Sequence, residues 1–246
     1  MTADSRSALL LHGLGASAEA WWAVADALGR AGWHVTTPEL RGHGTGIRAA
    51  DYSHDAYADD ALAIGTPPWD LVVGHSLGAA IAVRAAARGG SWTRRLALID
   101  PVLHLPEELR AEVRAGELTD LNVTAEQIAT AKPHWHERDR AAKLSGARAA
   151  DPAAVAATVD QNTPWDVRPD AARLTIPTLV LAGDPAVFTF FGTAAAAELL
   201  RANPRVRYAP IAGTGHAPHR DDPETTVAAL LEWAGSDLTA SRFGQV

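Results

Sequence analysis

The sequence predicts an α/β protein with a mostly parallel, six-stranded sheet that carries helices on both faces. Apolar stretches typical of strands alternate with helical stretches along most of the 246 residues, as in proteins whose parallel strands are joined by helices. The strand-like stretches are apolar at successive positions, which indicates burial on both faces of the sheet. We therefore expect one large core built around this sheet.

Six strands and five helices are predicted outside the segment 104–170. The strands are expected at residues 8–11, 34–37, 70–73, 96–99, 178–182 and 206–211. The helices are expected at residues 18–30, 51–64, 77–87, 193–202 and 223–234. The helical segment 104–170 interrupts the alternation between the strands at 96–99 and 178–182, and we expect it to form a cap over the strand ends. Residues 1–103 and 171–246 then form the core.

Composition restricts the range of functions. The net charge of −7 argues against a nucleic-acid surface, and the absence of cysteine excludes disulfides and thiol nucleophiles. No apolar run approaches the roughly 18 residues that a membrane span requires, and the first residues, MTADSRS, lack the apolar core of a signal peptide. We expect a cytoplasmic protein that acts on a small molecule without a metal, a cofactor, a membrane or a nucleic acid.

A serine lies at a sharp corner in the stretch DLVVGHSLGAAIAV, residues 70–83. A predicted strand ends just before Ser76, and a predicted helix begins just after it. Gly74 and Gly78 remove side chains where the backbone bends and where the strand and helix approach closely. Ser76 either caps the helix or is exposed as a nucleophile, and the residues at the other strand ends favour the second interpretation.

Residues with reactive side chains follow the carboxyl ends of several predicted strands, where parallel sheets bind ligands. They are His12, Ser76, Asp100, Asp184 and, past the last strand, His216. A serine hydroxyl needs a neighbouring base to remove its proton, and histidine suits that task near neutral pH. The glycine-rich stretch Gly-Thr-Gly before His216 favours it over the other histidines, because it brings His216 over the sheet.

Four motifs in order along residues 8–220 resemble those of the α/β-hydrolase family. They are LLLHGLG (9–15), ELRGHG (39–44), GHSLG (74–78) and GTGHAPH (213–219). GHSLG matches the Gly-x-Ser-x-Gly nucleophile elbow in the required context of strand before and helix after. The resemblance implies that Ser76 is the nucleophile and His216 the base, with the N–H groups of Leu14 and Leu77 as oxyanion donors. His12 and His43 then belong to structural turns.

The chain departs from the family pattern at the acid that orients the histidine. Family members commonly carry this acid as Gly-x-x-Asp, but the third residue after Gly183 is Ala186. Asp184 follows Gly183 directly, so either the turn is shorter or Asp184 is not the acid. Some relatives carry the acid after the preceding strand, where this chain has Asp100. We favour Asp100 and keep Asp184 as the alternative.

The start of the chain is a second departure from the family. The residues before the first predicted strand are too few for the two antiparallel strands with which the family usually opens. We therefore expect a wholly parallel sheet with a bare edge at residues 34–37. An exposed edge invites pairing, so the protein is expected to be a monomer or a weak homodimer.

Aromatic side chains in and near the cap are candidates for substrate binding. Trp22, Trp135 and Trp165, with Phe188, Phe190 and Phe191, line an apolar cavity in one interpretation and pack the cap against the core in the other. His219 either contacts the substrate or is a structural residue of its loop. The pair His134 and His136 has no third ligand nearby and is interpreted as a solvated face rather than a metal site.

The resemblance implies a serine hydrolase that cleaves an ester, thioester or lactone of a small, largely apolar substrate. The alternatives within the same fold are a cofactor-free lyase, a carbon–carbon bond hydrolase, a perhydrolase and a ligand-binding protein without catalysis, since fold alone does not choose among them. A nucleotide-dependent oxidoreductase is excluded, because no Gly-x-Gly-x-x-Gly follows any predicted strand.

Overall fold

A computed structural model describes residues 6–235 of the chain. The strands are β1 (Arg6–Leu11), β2 (Trp33–Thr36), β3 (Leu71–His75), β4 (Leu96–Ile99), β5 (His104–Leu105), β6 (Trp165–Asp166), β7 (Thr178–Ala182) and β8 (Val206–Pro210). The helices are α1 (Trp22–Arg30), α2 (His54–Ala63), α3 (Leu77–Arg88), α4 (Glu107–Asp120), α5 (Ala125–Ala131), α6 (Glu137–Ala149), α7 (Pro152–Gln161), α8 (Arg168–Arg173), α9 (Thr193–Ala202), α10 (Pro218–Asp221) and α11 (Pro223–Gly235).

Within residues 6–235, every helix is too short or too polar to cross a bilayer. Residues 1–5, on which the leader prediction depends, lie outside the described range.

The main sheet confirms the predicted six parallel strands. Its order is β2-β1-β3-β4-β7-β8, and every neighbouring pair is parallel. The strand β2 forms one edge, as expected for the stretch at 34–37. The strand order reverses between β1 and β3, because β2 lies on one side of β1 and the later strands lie on the other. Ligands bind at such a switch point, beyond the carboxyl ends of the strands.

Both faces of the sheet are buried, which explains the continuous apolar runs in its strands. Successive side chains of a strand point to opposite faces. In β1, Leu9 and Leu11 join the apolar cluster beneath α2, α3 and α9, whereas Ala8 and Leu10 join the cluster beneath α1 and α11. All four side chains are fully buried. The sheet therefore lies between two helical layers and presents only its edges and strand ends to solvent.

Close backbone contacts at two glycines join β1, β3 and α3. A Cβ built on Gly78 would lie 2.1 Å from the carbonyl oxygen of Leu11, and one built on Gly74 would lie 2.4 Å from the carbonyl oxygen of Gly78. No side chain fits at these distances. The absence of a Cβ thus lets the first turn of α3 pack directly on the ends of β1 and β3, as the sequence predicted for this corner.

The segment between β4 and β7 folds as a helical insertion over the strand ends. The strands β5 and β6 pair antiparallel, with Leu105 opposite Trp165, so the two ends of the insertion lie side by side. Within it, α4 packs on α7 and α5 packs on α6, while α6 contacts the short 3-10 helix Ala18–Trp21 of the core. The expected boundary at residue 170 falls inside α8, which packs against the core helices α3 and α9.

The glycine contacts can be tested with a matched pair of substitutions. We expect Gly78→Ala to lower the free energy of unfolding by about 3 kcal/mol, because the new methyl group meets backbone that has no room to move. Gly116→Ala in α4 is the control, since no atom lies within 4 Å of a Cβ built there. That change should raise stability by about 0.5–1 kcal/mol. Urea unfolding measures both, and equal effects would contradict the packing described here.

Candidate active site

A cleft of about 670 Å³ lies between the carboxyl ends of the strands and the helical insertion. Ser76 and His216 line it from the sheet side, together with Gly13 and Leu14 after β1. The insertion contributes the opposite wall. The side chains on that wall include those of Glu117, Lys132 and Trp135.

Ser76 occupies a strained turn between β3 and α3. Its φ and ψ are 54° and −117°, a region that side chains with a Cβ rarely occupy. Among residues 6–235, the one other non-glycine residue with a positive φ is Asp100, at 36°. Ser76 follows β3 and Asp100 follows β4, so both residues lie at the carboxyl ends of the two central strands of the sheet.

Asp100 is fully buried and accepts hydrogen bonds from four groups. Its Oδ1 accepts from the Gly183 N–H at 3.1 Å and from the Thr189 hydroxyl. Its Oδ2 accepts from the Phe190 N–H at 3.0 Å and from His216 Nδ1 at 2.5 Å. Burial alone would raise the pKa of Asp100, but the hydrogen bond and charge of His216, with the other donors, hold that pKa below its usual value. Asp100 is therefore a carboxylate at neutral pH.

The contact with Asp100 defines the tautomer of His216. A carboxylate only accepts hydrogen bonds, so Nδ1 of His216 carries the proton and its Nε2 is left as a base. The backbone of this residue is also held, because His75 Nε2 donates to the carbonyl oxygen of His216 at 2.8 Å. Burial lowers the pKa of His75 to about 3. His75 is thus a neutral group that anchors the loop.

Two other buried histidines hold the loop that follows β1. The N–H of Gly15 donates to His43 Nε2 at 3.0 Å, and the N–H of Leu40 donates to His12 Nε2 at 3.1 Å. Burial lowers the pKa of His43 to about 3, in keeping with a neutral ring that accepts a hydrogen bond. The loop that contains Leu14 is therefore tied to the Leu40–His43 segment.

Backbone amides of this loop and of α3 have free N–H groups beside Ser76. A Cβ built on Gly13 would lie 3.2 Å from Ser76 Cβ, so the loop passes directly over the serine. Leu77 begins α3, where amides have no partner within the helix. Within residues 6–235, no acceptor occupies the N–H groups of Leu14 and Leu77. These are the groups that the sequence proposed as oxyanion donors.

Comparison with known proteins agrees with the fold and with the order of the motifs. Residues 8–230 match the profile of the alpha/beta hydrolase family, which covers most of the chain. The chain belongs to the α/β-hydrolase family. The resemblance of the four sequence motifs to that family is confirmed.

Three relatives are similar to this α/β-hydrolase. N-formylmaleamate deformylase of Pseudomonas putida is 37% identical over 106 residues, which make up 40% of this chain and 38% of that protein. The chain therefore spans well under half the length of this curated relative. Two crystal structures match the fold across nearly the whole chain. The N-formylmaleamic acid deformylase of Pseudomonas putida S16 has 24% identity, a TM-score of 0.77 and coverage of 94% and 93%. The enol-lactonase of Burkholderia xenovorans LB400 has 19% identity, a TM-score of 0.78 and coverage of 95% and 93%.

The second candidate acid of this α/β-hydrolase, Asp184, supports a turn instead of contacting His216. Its Oδ2 accepts from the Gly213 N–H at 2.8 Å and its Oδ1 from the Ala186 N–H at 2.8 Å. Its own N–H donates to the carbonyl oxygen of Thr214 at 2.8 Å. Asp184 thus shapes the Gly-Thr-Gly loop from which His216 extends, and Asp100 is the carboxylate that the structure brings to His216.

The aromatic candidates are divided between the cleft and the packing around it. Trp135 and Phe188 line the cleft, and Phe188 also borders a neighbouring apolar pocket of about 370 Å³ that Phe190 and Phe191 line. Trp22 donates to Asp139 Oδ1 at 2.9 Å, where the insertion meets the core. Trp165 is buried and donates to the carbonyl oxygen of Val102 at 2.8 Å. The expectation that Trp22 and Trp165 bind substrate therefore needs correction, because their indole rings are used in packing.

The remaining histidine candidates have structural contacts. His134 Nε2 lies 3.0 Å from Asp221 Oδ1, and His136 Nδ1 accepts from the Arg138 N–H at the start of α6. His219 is buried, and its ring stacks on Trp21 with the ring centroids 4.8 Å apart. Burial lowers the pKa of His219 well below its usual value, so it is neutral.

Sequence reasoning missed all the charged residues that line the cleft, and two of them, Glu117 and Arg220, have shifted pKa values. Glu117 on α4 faces the loop after β1, where its Oε2 lies 3.5 Å from a Cβ built on Gly15. Arg220 on α10 lines the same cleft and is buried. Neither residue belongs to a motif. Sequence spacing gave no signal for either, because His216 lies outside α10, which begins at Pro218.

The ionisation of Glu117 predicts a pH-dependent stability. Burial raises the pKa of Glu117 to about 7, although the charges of Lys143 and His216 oppose the change. As pH rises from about 4.5 to about 7, the unfolded chain loses this proton and the folded protein keeps it. Glu117 therefore lowers the stability of the folded state progressively across this range. Below about pH 4.5 both states hold the proton, and the effect vanishes.

We expect Glu117→Gln to become increasingly stabilising relative to the natural protein between about pH 4.5 and pH 7. The gain should reach at most about 3 kcal/mol above pH 7, and less where solvent reaches the carboxyl group. Urea unfolding at several pH values measures it. Glu112→Gln, an exposed glutamate of the same helix, controls for the loss of a carboxylate. A stability difference that stays constant between pH 5 and pH 8 would refute this assignment.

Proposed function

We propose that this chain is a serine hydrolase that cleaves the ester, thioester or lactone bond of a small, largely apolar substrate. The observation that supports this most directly is the hydrogen bond of 2.5 Å between His216 Nδ1 and the buried Asp100. It leaves His216 Nε2 as a free base in the cleft that Ser76 lines. A strained serine, an oriented histidine and free N–H groups in one cleft are the parts that acyl transfer requires.

In the proposed reaction, Ser76 Oγ attacks the carbonyl carbon of the substrate as its proton passes to His216 Nε2. The negative charge that develops on the carbonyl oxygen is stabilised by the N–H groups of Leu14 and Leu77. Asp100 stabilises the imidazolium without taking its proton. His216 then gives the proton to the leaving alcohol or thiol, and an acyl group remains on Ser76.

The second half of the reaction repeats these roles with water. His216 removes a proton from a water molecule, which attacks the acyl carbon, and the same N–H groups stabilise the second oxyanion. The bond between the acyl carbon and Ser76 Oγ then breaks, and Ser76 Oγ takes back the proton that His216 holds. The pair of His216 and Asp100 serves both halves because Nδ1 keeps its proton throughout. No further group has to move a proton in this scheme.

Hydrolysis of an N-acyl bond is a second candidate, favoured by the sequence similarity to N-formylmaleamate deformylase over 106 residues. The same residues would perform it, with His216 protonating a departing nitrogen. No specific observation favours the lyase, perhydrolase or carbon–carbon bond hydrolase alternatives. A ligand-binding protein without catalysis differs in one measurable respect, because its serine would be unreactive.

Labelling by a fluorophosphonate tests the proposal. We expect a single adduct on Ser76, since a phosphonyl group traps a serine whose proton has an adjacent base. His216→Ala should slow the labelling by about 10²–10⁴-fold, the usual contribution of a general base. Peptide mass spectrometry locates the adduct, and Ser145→Ala on α6 provides a serine control. A folded protein that gains no adduct, or that reacts equally fast without His216, would disprove the proposed role.

The two aspartates provide a matched test of the acid. We expect Asp100→Asn to reduce kcat for 4-nitrophenyl acetate by about 10³–10⁴-fold, because an amide no longer favours the productive tautomer of His216. Asp184→Asn should reduce kcat by less than about tenfold, since it removes support from a turn. Near-ultraviolet circular dichroism shows whether each variant keeps its tertiary packing. The reverse order of effects would make Asp184 the acid.

A further inference from the structure

Arg220 is a buried cation whose hydrogen-bond donors are unused. Its side chain is only 5% exposed, yet it lines the cleft that contains Ser76 and His216. Its Nε is fully enclosed and has no acceptor. Among residues 6–235, no side-chain or backbone oxygen forms a hydrogen bond or ion pair with this guanidinium. An arginine in such a position has donors available for a molecule in the cleft.

The nearest carboxylates, those of Asp221 and Asp139, form no ion pair with Arg220. Asp221 Oδ1 accepts from Lys132 Nζ at 3.2 Å and from Trp135 Nε1 at 2.6 Å, while its Oδ2 accepts from the Gly215 N–H at 2.7 Å. Asp139 accepts from Trp22 through Oδ1, whereas its buried Oδ2 has no hydrogen-bond partner. Both carboxylates influence the charge of Arg220 from a distance, but neither forms an ion pair with it.

An indole ring supports Arg220 beside the cleft. The guanidinium carbon of Arg220 lies 5.1 Å from the ring centroid of Trp135, and Lys132 Nζ lies 5.2 Å from the same ring. Both distances permit cation–π attraction. The part of the cleft around Trp135 thus combines an apolar surface with two cations, of which Lys132 is paired with Asp221 and Arg220 is not.

The other charges of the cleft do not compensate Arg220. Lys143 and Asp120 form their own ion pair, with 3.0 Å between nitrogen and oxygen. Glu117 lies on α4, and the charges that influence it are those of Lys143, His216 and Asp120. Arg220 is not among them. The wall that contains Arg220 therefore has a cation with free donors and no anion bound to it.

A buried, unpaired guanidinium is costly for the fold. Burial lowers the pKa of Arg220 to about 10, which still leaves it charged at neutral pH. Charges without partners are rare in protein interiors, because the energy of hydration is lost and nothing replaces it. A planar guanidinium with free N–H groups is suited to bind a carboxylate through two parallel hydrogen bonds.

We infer that Arg220 binds a carboxylate of the substrate, so that the preferred ester has an apolar body and carries one carboxylate away from the scissile bond. This inference rests on the proposed function of Ser76 and His216. It adds a specificity-determining residue that does not take part in bond cleavage. The carboxylate lies on the Arg220 wall, and Trp135 contacts the adjoining apolar part.

Paired substrates test the inference. The first pair is the 4-nitrophenyl monoester of glutaric acid and 4-nitrophenyl pentanoate, which match in acyl length and leaving group. The second pair is 4-acetoxybenzoate and its methyl ester, which place the charge on the alcohol instead. We expect kcat/KM to favour the charged member of at least one pair by about 10–100-fold, as a charge-assisted hydrogen bond provides.

Three variants show whether this preference depends on Arg220. Arg220→Met keeps the bulk of the side chain and should bring the ratio of charged to neutral kcat/KM close to one. Arg220→Lys keeps the charge without the planar fork and should give an intermediate ratio. Arg138→Met is the matched control, because Arg138 also stacks on an indole, that of Trp22, at 5.1 Å and pairs with Glu19 outside the cleft. It should retain the ratio of the natural protein.

The outcomes separate the inference from the proposed function. Hydrolysis of the neutral esters with no preference for charge in either pair would overturn the role of Arg220 and leave the proposed function standing. A preference that survives Arg220→Met would overturn it as well. Failure to hydrolyse any of the four esters, together with an unlabelled Ser76, would instead refute the proposed function and the inference with it.

Discussion

The buried carboxylate of Asp100 is the interaction on which the arrangement of the site depends. Its four donors come from three parts of the chain, namely Gly183 at the end of β7, the loop containing Thr189 and Phe190, and His216. A carboxylate without water is stable only when its oxygens are satisfied by such donors. The three segments therefore have to be in place together, and the orientation of His216 is coupled to the packing of a loop distant in sequence.

Neutral histidines complete this framework around Ser76. His75 holds the backbone of His216, and His43 holds the backbone at Gly15. Burial keeps the pKa of His75 and of His43 near 3, so their hydrogen-bonding pattern stays the same across the physiological pH range. The positions of the base and of the free N–H groups are thus set before any substrate enters, which is the condition for electrostatic stabilisation without reorganisation.

Local patterns predicted the sheet, the serine corner and the loop of His216, because each depends on neighbouring residues. The preference for Asp100 over Asp184 came from the family resemblance and not from local patterns, since both residues follow a strand and precede a proline. What distinguishes them is burial and contact with His216, which depend on residues far along the chain. Trp165 was misplaced because an indole packs equally well in a core and in a cavity. No pattern in the sequence indicated Arg220, because its burial without an ion-pair partner depends on contacts with the insertion.

The paired strands β5 and β6 bring the two ends of the insertion to one place. The chain leaves the sheet and returns to it through this narrow neck, so the insertion can change in length or sequence while β4 and β7 stay where they are. The residues that support the reactive groups lie in the sheet and in the loops that follow its strands, whereas Lys132 and Trp135 belong to the insertion. Changes in the insertion can therefore alter the wall that Lys132 and Trp135 form while the sheet and its loops stay in place, whereas Arg220 on α10 belongs to the core.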